Sequence, residues 1–154
     1  MKFWNKFNNK NAASDPPDAA DAMEGQGRVC FVLCKSTKVD IALLESEVEN
    51  EFGEKLKIET EDNESFFISV PACGHAFLTL ISAPIPDQEA EHNADGNLFW
   101  PDAARDLIAY KAHIITGILA GPKDPVQLNM VLSKLARIAI KTFAGVGVYW
   151  GDGA

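Results

Sequence analysis

The spacing of apolar and polar positions changes several times along the chain, and each change predicts a new structural element. Residues 28–35, RVCFVLCK, are too few for a helix and rich in β-forming side chains, so they predict a buried strand. Asp40 is a typical N-cap and Gly53 is typical of the position after a helix end. The apolar residues between them recur at helical spacing: Ile41, Leu44, Val48 and Phe52. We therefore expect an amphipathic helix whose glutamates face outward.

A β-hairpin and a further strand are expected in the middle of the chain. The segments KLKIETE and SFFISV flank the turn-forming pair Asp62-Asn63, and they partly alternate between apolar and polar residues. The segment HAFLTLISAPIP, which begins at His75, predicts a strand that lies beside this hairpin. Residues 87–95 are polar and acidic, and they predict a loop or a short helix.

The second half of the chain alternates between helices and strands. Trp-Pro-Asp at 100–102 predicts the first turn of a helix, and the apolar run IITGIL at 114–119 predicts a strand covered on both faces. Residues 124–143 begin with an Asp-Pro pair and predict the last long helix. The segment GVGVYW predicts a strand whose neighbours approach closely at Gly145 and Gly147.

The predicted order of elements is β-α-β-β-β-α-β-α-β, which indicates an α+β fold. We expect a mixed β-sheet with packed helices, nearest to a ferredoxin-like split βαβ core with additions. Residues 1–27 have no apolar period and are expected to form a flexible leader, and residues 28–154 a single α+β domain. The chain stops soon after Tyr149-Trp150, so we expect either a fragment of a longer protein or an edge strand that lacks its partner.

Charge adds a candidate function, because it is concentrated in one segment. The chain has a formal net charge of −8, and residues 40–64 hold ten acidic and two basic residues, so the other charges cancel. Such a field repels nucleic acid and attracts a basic partner. The alternative is a solvated surface without a partner. The partner-binding candidates are Glu45, Glu47, Glu49, Glu51, Glu59, Glu61, Asp62 and Glu64.

Hydropathy and cysteine usage predict a cytoplasmic protein. No apolar stretch approaches the length that crosses a bilayer, and the first residues lack the apolar core of a secretion signal. Cys30 and Cys34 would lie about 13 Å apart along a strand, too far for a disulfide or a shared metal. With Cys73, they are expected to be buried or half-buried thiols.

Motifs for catalysis are missing from the sequence. There is no metal-binding motif, nucleophile elbow or phosphate-binding loop, so we expect no metal, no cofactor and no enzymatic activity. The alternative is a small enzyme or ligand-binding domain with a pocket near Trp100 and His113. A thiol–imidazole pair between His113 and Cys34 or Cys73 is a less favoured variant. A phosphate site would need the cations on the polar side of the last helix, Lys134, Arg137 and Lys141.

Three stretches, FWPDAARDLIAYKAHIITGIL, DPVQLNMVLSKLARIAI and GVGVYWGDGA, together resemble a bacterial domain-of-unknown-function family, number 4261. The resemblance covers roughly residues 28–152, and members of that family generally continue beyond the Tyr-Trp strand. The matching elements are a proline-rich turn at 83–86, Trp-Pro at 100–101, the helix-to-strand junction at 112–115, the helix at 124–140 and Val-Tyr-Trp at 148–150.

The resemblance implies a function but no catalytic residues. Members of the family look like immunity proteins of bacterial toxin systems, including type VI secretion, in which each protein neutralises a cognate effector in the cytoplasm. Taken with the charge, this leads us to expect an antitoxin-like protein that binds a toxin, such as a basic nuclease, through residues 40–64. In this interpretation His113 satisfies local backbone groups, and the oligomeric state stays open.

Overall fold

A computed structural model describes residues 28–71, 73–120 and 124–150 of the chain. Within these ranges, strands and helices alternate in nearly the predicted order, with a 3₁₀ turn at Pro86–Gln88 before α2. The elements are β1 (Val29–Cys34), α1 (Ile41–Phe52), β2 (Ile58–Thr60), β3 (Ser65–Val70), β4 (Gly74–Ile81), α2 (Glu89–Ala94), α3 (Ala103–Leu107), β5 (Ala112–Ala120), α4 (Pro125–Thr142) and β6 (Gly145–Tyr149).

The strands form one six-stranded sheet in the order β2-β3-β4-β5-β1-β6, and the α+β class is confirmed. The sheet differs from the expected mixed one, because each pairing between neighbours is antiparallel. Two strands that run in the same direction always have an antiparallel strand between them in the sheet. β5 and β6, for example, are joined by α4 but separated in the sheet by β1.

The expected ferredoxin-like core is present as β1, α1, β4, β5, α4 and β6. Its four strands lie in the order β4-β5-β1-β6, so β5 separates β4 from β1, and β1 separates β5 from β6. This interleaving is the split βαβ arrangement. The β2-β3 hairpin is the addition, and it extends the sheet beyond β4.

The larger core lies between one face of the sheet and helices α1 and α4. Alternate residues of each central strand point into it, and α4 packs against β1, β5 and β6 as well as against α1. Asp124 caps α4 by accepting a hydrogen bond from the backbone N–H of Val126 at 2.9 Å, and Pro125 occupies the first turn. The largest fully buried side chains on this side are Leu44, Phe66, Ile68, Leu78, Ile114, Ile118, Leu132, Leu135, Ile138 and Phe143.

A smaller cluster on the opposite face lies beneath α2 and α3, near β1 and β6. Its buried members are Leu33, Ile85, Ala90, Leu107 and Tyr110. Helix α3 begins at Ala103, later than the Trp-Pro-Asp motif predicted. Asp102 is the N-cap, but its side chain does not cap the helix and instead pairs with Arg105 at 3.2 Å.

Candidate functional site

Helix α1 positions half of the acidic residues that the sequence singled out as partner-binding candidates. Asp40 Oδ1 accepts a hydrogen bond from the N–H of Leu43 at 3.1 Å, and Gly53 ends the helix with φ of 75°. Both caps are as predicted. Because Leu44 and Val48 are buried against the larger core, the glutamates lie on the two flanks of the helix and on its outer side.

The flank of α1 that faces α4 is neutralised by ion pairs. Glu47 Oε2 accepts a hydrogen bond from Lys141 Nζ at 2.6 Å, and Glu51 Oε1 lies 3.2 Å from Arg137. The Glu51 side chain is only 8% exposed, and Lys141 lies 3.7 Å from it as well. The hydrogen bond with Glu47 raises the pKa of Lys141 above its ordinary value. Glu47 and Glu51 were expected on an open surface, and the structure places them in interhelical pairs instead.

Two candidates in the hairpin also have local partners. Asp62 Oδ1 accepts hydrogen bonds from the backbone N–H groups of Glu64 at 2.9 Å and Ser65 at 2.7 Å. These bonds lower the pKa of Asp62 and hold the turn, in which Asn63 has a φ of 59°. Glu59 forms an exposed ion pair with Lys57, whose hydrogen bond lowers the pKa of Glu59.

The remaining candidates, Glu45, Glu49, Glu61 and Glu64, are exposed and form no ion pair with any residue that the structure describes. We call these four residues the acidic surface. Glu45 and Glu49 line one wall of a shallow depression, whose other lining residues are Ala42, Ser46, Lys55 and Leu56. The depression joins α1 to the segment that enters β2, and Glu61 and Glu64 belong to the turn that follows β2.

The cations of α4 are engaged within the protein. Lys134 Nζ lies 5.0 Å from the centroid of the Phe52 ring, a cation–π distance. Arg137 and Lys141 form the pairs with α1 described above. These contacts partly neutralise the three cations, but the Arg137 side chain stays 65% exposed and lines a depression with Lys134, so the phosphate-site alternative stays a prediction.

His113 has a structural environment. It is 5% exposed, and its Nδ1 lies 2.8 Å from the carbonyl oxygen of Ala83. Burial lowers the pKa of His113, so the imidazole is neutral at pH 7 and donates its Nδ1–H to that carbonyl. The interpretation that His113 satisfies local backbone groups is confirmed.

Trp100 holds the neighbouring edge of the sheet. Its Nε1–H donates to Asp106 Oδ2 at 3.0 Å, and its ring lies so close to Gly147 that a Cβ on this glycine would overlap it. A Cβ on Gly145 would lie 2.7 Å from Cα of Ile140. The predicted close approaches at both glycines are confirmed, and Trp100, like His113, is occupied by packing contacts.

None of the three thiols meets His113, because Cys73, like Cys30 and Cys34, packs in the larger core. Cys30 and Cys34 point into the larger core, whereas His113 points to the opposite face, where its neighbours across the strands are Leu33 and Ile81. Burial raises the pKa of both thiols to about 12, which keeps them protonated and unreactive. In the ranges 28–71, 73–120 and 124–150, no three His, Cys, Asp or Glu side chains are placed to share a metal ion.

Two exposed features were missed by the sequence reasoning. Lys55 and Leu56 line the depression beside Glu45 and Glu49, and the signal for them was their position two and three residues after the helix-ending glycine. Separately, Leu98 and Phe99 in the connection between α2 and α3 are 89% and 99% exposed. Such an exposed apolar pair is typical of a contact surface.

No protein-family model matches the chain, and no curated protein and no solved structure matches it either. The resemblance to the domain-of-unknown-function family therefore stays a prediction. Among the described residues, no helix is long and apolar enough to cross a membrane.

Proposed function

We propose that this protein is an immunity protein that binds a cationic effector toxin through the acidic surface and thereby blocks it. The observation that carries the proposal is the division of the carboxylates on α1. Those facing α4 are paired, whereas Glu45 and Glu49 remain exposed and form no ion pair with a described residue, although Lys55 lines the same depression. A partner that supplies cations would form ion pairs with these two carboxylates.

The physical basis is electrostatic complementarity. Glu45 and Glu49 are four residues apart on a helix with both ends capped, so they present two carboxylates on one rigid side. Glu61 and Glu64 add charge from a turn that Asp62 holds in shape. Rigid carboxylates imitate the phosphates that a basic nuclease cleft binds, and opposite charge speeds the encounter of two proteins by about 10-fold or more at low salt.

The class of partner follows from the resemblance in sequence. Proteins of that kind neutralise effectors of bacterial toxin systems, including type VI secretion, in the cytoplasm. A toxin inhibitor needs no catalytic residues, which agrees with the packing contacts of His113 and Trp100. The enzyme alternative is not carried forward, since both residues on which it depended are committed to packing.

The test is calorimetric titration of the protein, at several salt concentrations, with a candidate toxin, namely the product of a toxin-like gene that neighbours its own. We expect tight binding that weakens as salt rises, and co-expression that protects cells from the toxin. Absence of binding, or binding that salt does not change, would overturn the proposal.

A further inference from the structure

The outward side of α4 carries a shallow trough that begins beside Arg28. Two depressions meet there, because Asn129 and Ser133 line both of them. One depression extends from these residues to Arg28 and Trp150, and the other extends along the helix. We call the lining residues of both depressions the α4 trough: Arg28, Val126, Asn129, Met130, Ser133, Lys134, Arg137 and Trp150.

Two cations of the α4 trough can accept further negative charge. Lys134 lies against an aromatic ring of α1, and it forms no ion pair with a carboxylate in residues 28–71, 73–120 and 124–150. Arg137 pairs with Glu51, but the Arg137 side chain stays 65% exposed. On the same side of the helix, Val126 and Met130 are 64% and 59% exposed. A ligand that fits this trough therefore combines carboxylates with apolar groups.

The chain itself carries a segment of this chemistry directly before Arg28. Residues 11–27, which lie outside the described residues, contain four acidic residues and no basic one. Between the acids are three alanines, two prolines and Met23. The acids recur at every third position: Asp15, Asp18, Asp21 and Glu24. A chain with three residues per turn presents every third side chain on the same side, so these four carboxylates can face one surface together.

This segment is long enough to reach the cations of the trough. The Arg28 guanidinium donates a hydrogen bond to Asn129 Oδ1 at 2.7 Å, which fixes residue 28 at α4. Lys134 and Arg137 follow Asn129 by five and eight residues, which corresponds to about 8 and 12 Å along the helix. Glu24 precedes Arg28 by four residues, so an extended chain carries it up to about 14 Å from that residue. The acids before Glu24 reach further.

We propose that residues 15–24 bind along the α4 trough of their own chain, with carboxylates at Lys134 and Arg137 and with uncharged side chains against Met130. Charge directs the segment to this side, because the acidic surface repels it. The covalent tether gives the segment a roughly millimolar effective concentration, at which weak surface ion pairs form. The inference is independent of the proposed function, since no residue of the acidic surface lines the trough.

The test is zero-length carbodiimide cross-linking of the full chain, which joins a lysine amine to a carboxylate only when the two are in contact. Mass spectrometry of the digested protein identifies the joined residues. We expect Lys134 to be joined to acids of residues 15–24 at low salt, and the product to decrease at least about 3-fold at high salt.

Lys111 is the control within the same chain. It is exposed and follows the backbone contact with Cys34, at the end of β1 far from Arg28. This end lies about 20 Å from residue 28, within the reach of Asp15 and Asp18, so an unbound segment would meet it as well. We expect a product at Lys111 that is about 5-fold or more weaker than the product at Lys134.

Two matched arginine variants test the contribution of the second cation. Arg137→Gln removes a charge from the trough, and Arg105→Gln removes one from α3, where the side chain is similarly exposed. Circular dichroism should show both variants folded. We expect the Lys134 product to decrease about 2-fold or more in Arg137→Gln and to stay unchanged in Arg105→Gln.

Mixing isotope-labelled and unlabelled chains identifies the source of the bound segment. We expect cross-links within one chain, and cross-links between two chains would show that a second copy supplies the segment, which would overturn the inference. It would equally be overturned by the absence of a product between residues 15–24 and Lys134, by equal products at Lys134 and Lys111, or by equal decreases in the two arginine variants.

Discussion

Glu49 and Glu51 lie two residues apart on α1, and their surroundings are opposite. Glu51 is nearly enclosed between Arg137 and Lys141, with its side chain 8% exposed. Glu49 is exposed on the wall of a depression, and it forms no ion pair with any described residue. Residue type and helix are the same, so the difference comes from which side of α1 packs against α4.

The comparison separates the ionisable groups that have a specific partner within the fold from those that form no ion pair among the described residues and that the proposed function assigns to a partner. Glu47, Glu51, Asp62 and His113 belong to the first class, because each has a specific partner within the chain. The four residues of the acidic surface belong to the second class. The classes predict opposite results on substitution, since the first should change stability and the second should change association.

The largest effect on stability is expected at Glu51. Glu51→Gln leaves Arg137 and Lys141 facing each other without the carboxylate between them, so the free energy of unfolding should fall by about 1–2 kcal/mol. The matched variant Glu49→Gln should change it by less than about 0.5 kcal/mol. Urea denaturation measures both values. Equal effects of the two substitutions would contradict the claim that only the carboxylates facing α4 stabilise the fold.

A pH-dependent effect is expected at His113. The folded protein holds this imidazole neutral with a lowered pKa, whereas the unfolded chain takes up a proton near pH 6.5. Its contribution to stability is therefore present above pH 6.5 and is lost as the pH falls through the lowered folded pKa. Thermal melts between pH 7 and pH 5 should show a shallower loss for His113→Gln than for the natural chain. The control is His92→Gln, a change at an exposed histidine. If this variant lost stability equally slowly between pH 7 and pH 5, the pH dependence could not be assigned to His113.

A smaller effect is expected in the hairpin turn. Asp62→Ala removes the acceptor of two backbone N–H groups, so the melting temperature should fall by about a few degrees at pH 7. The neighbouring Glu61→Ala should leave it unchanged. Because the folded pKa of Asp62 is lowered, its contribution is present above pH 3.8 and lost as the pH falls below that value. If Glu61→Ala were the more destabilising change, it would be wrong that Asp62 stabilises the turn and that Glu61 does not.

The helices and strands could be predicted from local sequence signals, whereas the pairing of the strands depends on contacts between distant residues. Asp40, Gly53 and Asp124 end or begin helices through contacts with residues two to four positions away, so the sequence was sufficient there. That β1 separates β5 from β6 depends on contacts between residues more than seventy positions apart. The antiparallel order of the whole sheet could therefore not be read from spacing alone.

The cluster of acidic residues was visible in the sequence, but the sequence did not show which of its carboxylates form ion pairs within the protein. Glu47 and Glu51 are spaced by four residues, as are Arg137 and Lys141, so each helix carries one side of like charge beside its apolar stripe. Those spacings were visible in the sequence. They indicate a pairing only once α1 and α4 are known to pack side by side, which is a property of the folded sheet.

The most direct test of the proposed function is to measure, by stopped-flow fluorescence at low salt, how fast the protein associates with a candidate toxin encoded by a gene that neighbours its own. Two double variants with equal net charge are compared. One carries Glu45→Gln and Glu49→Gln in the acidic surface, and the other carries Asp95→Asn and Asp102→Asn outside it. We predict that the first pair slows association about 3-fold or more, that the second pair has an effect of less than about 2-fold, and that the difference vanishes at high salt. Equal rates for the two variants at low salt would contradict the account.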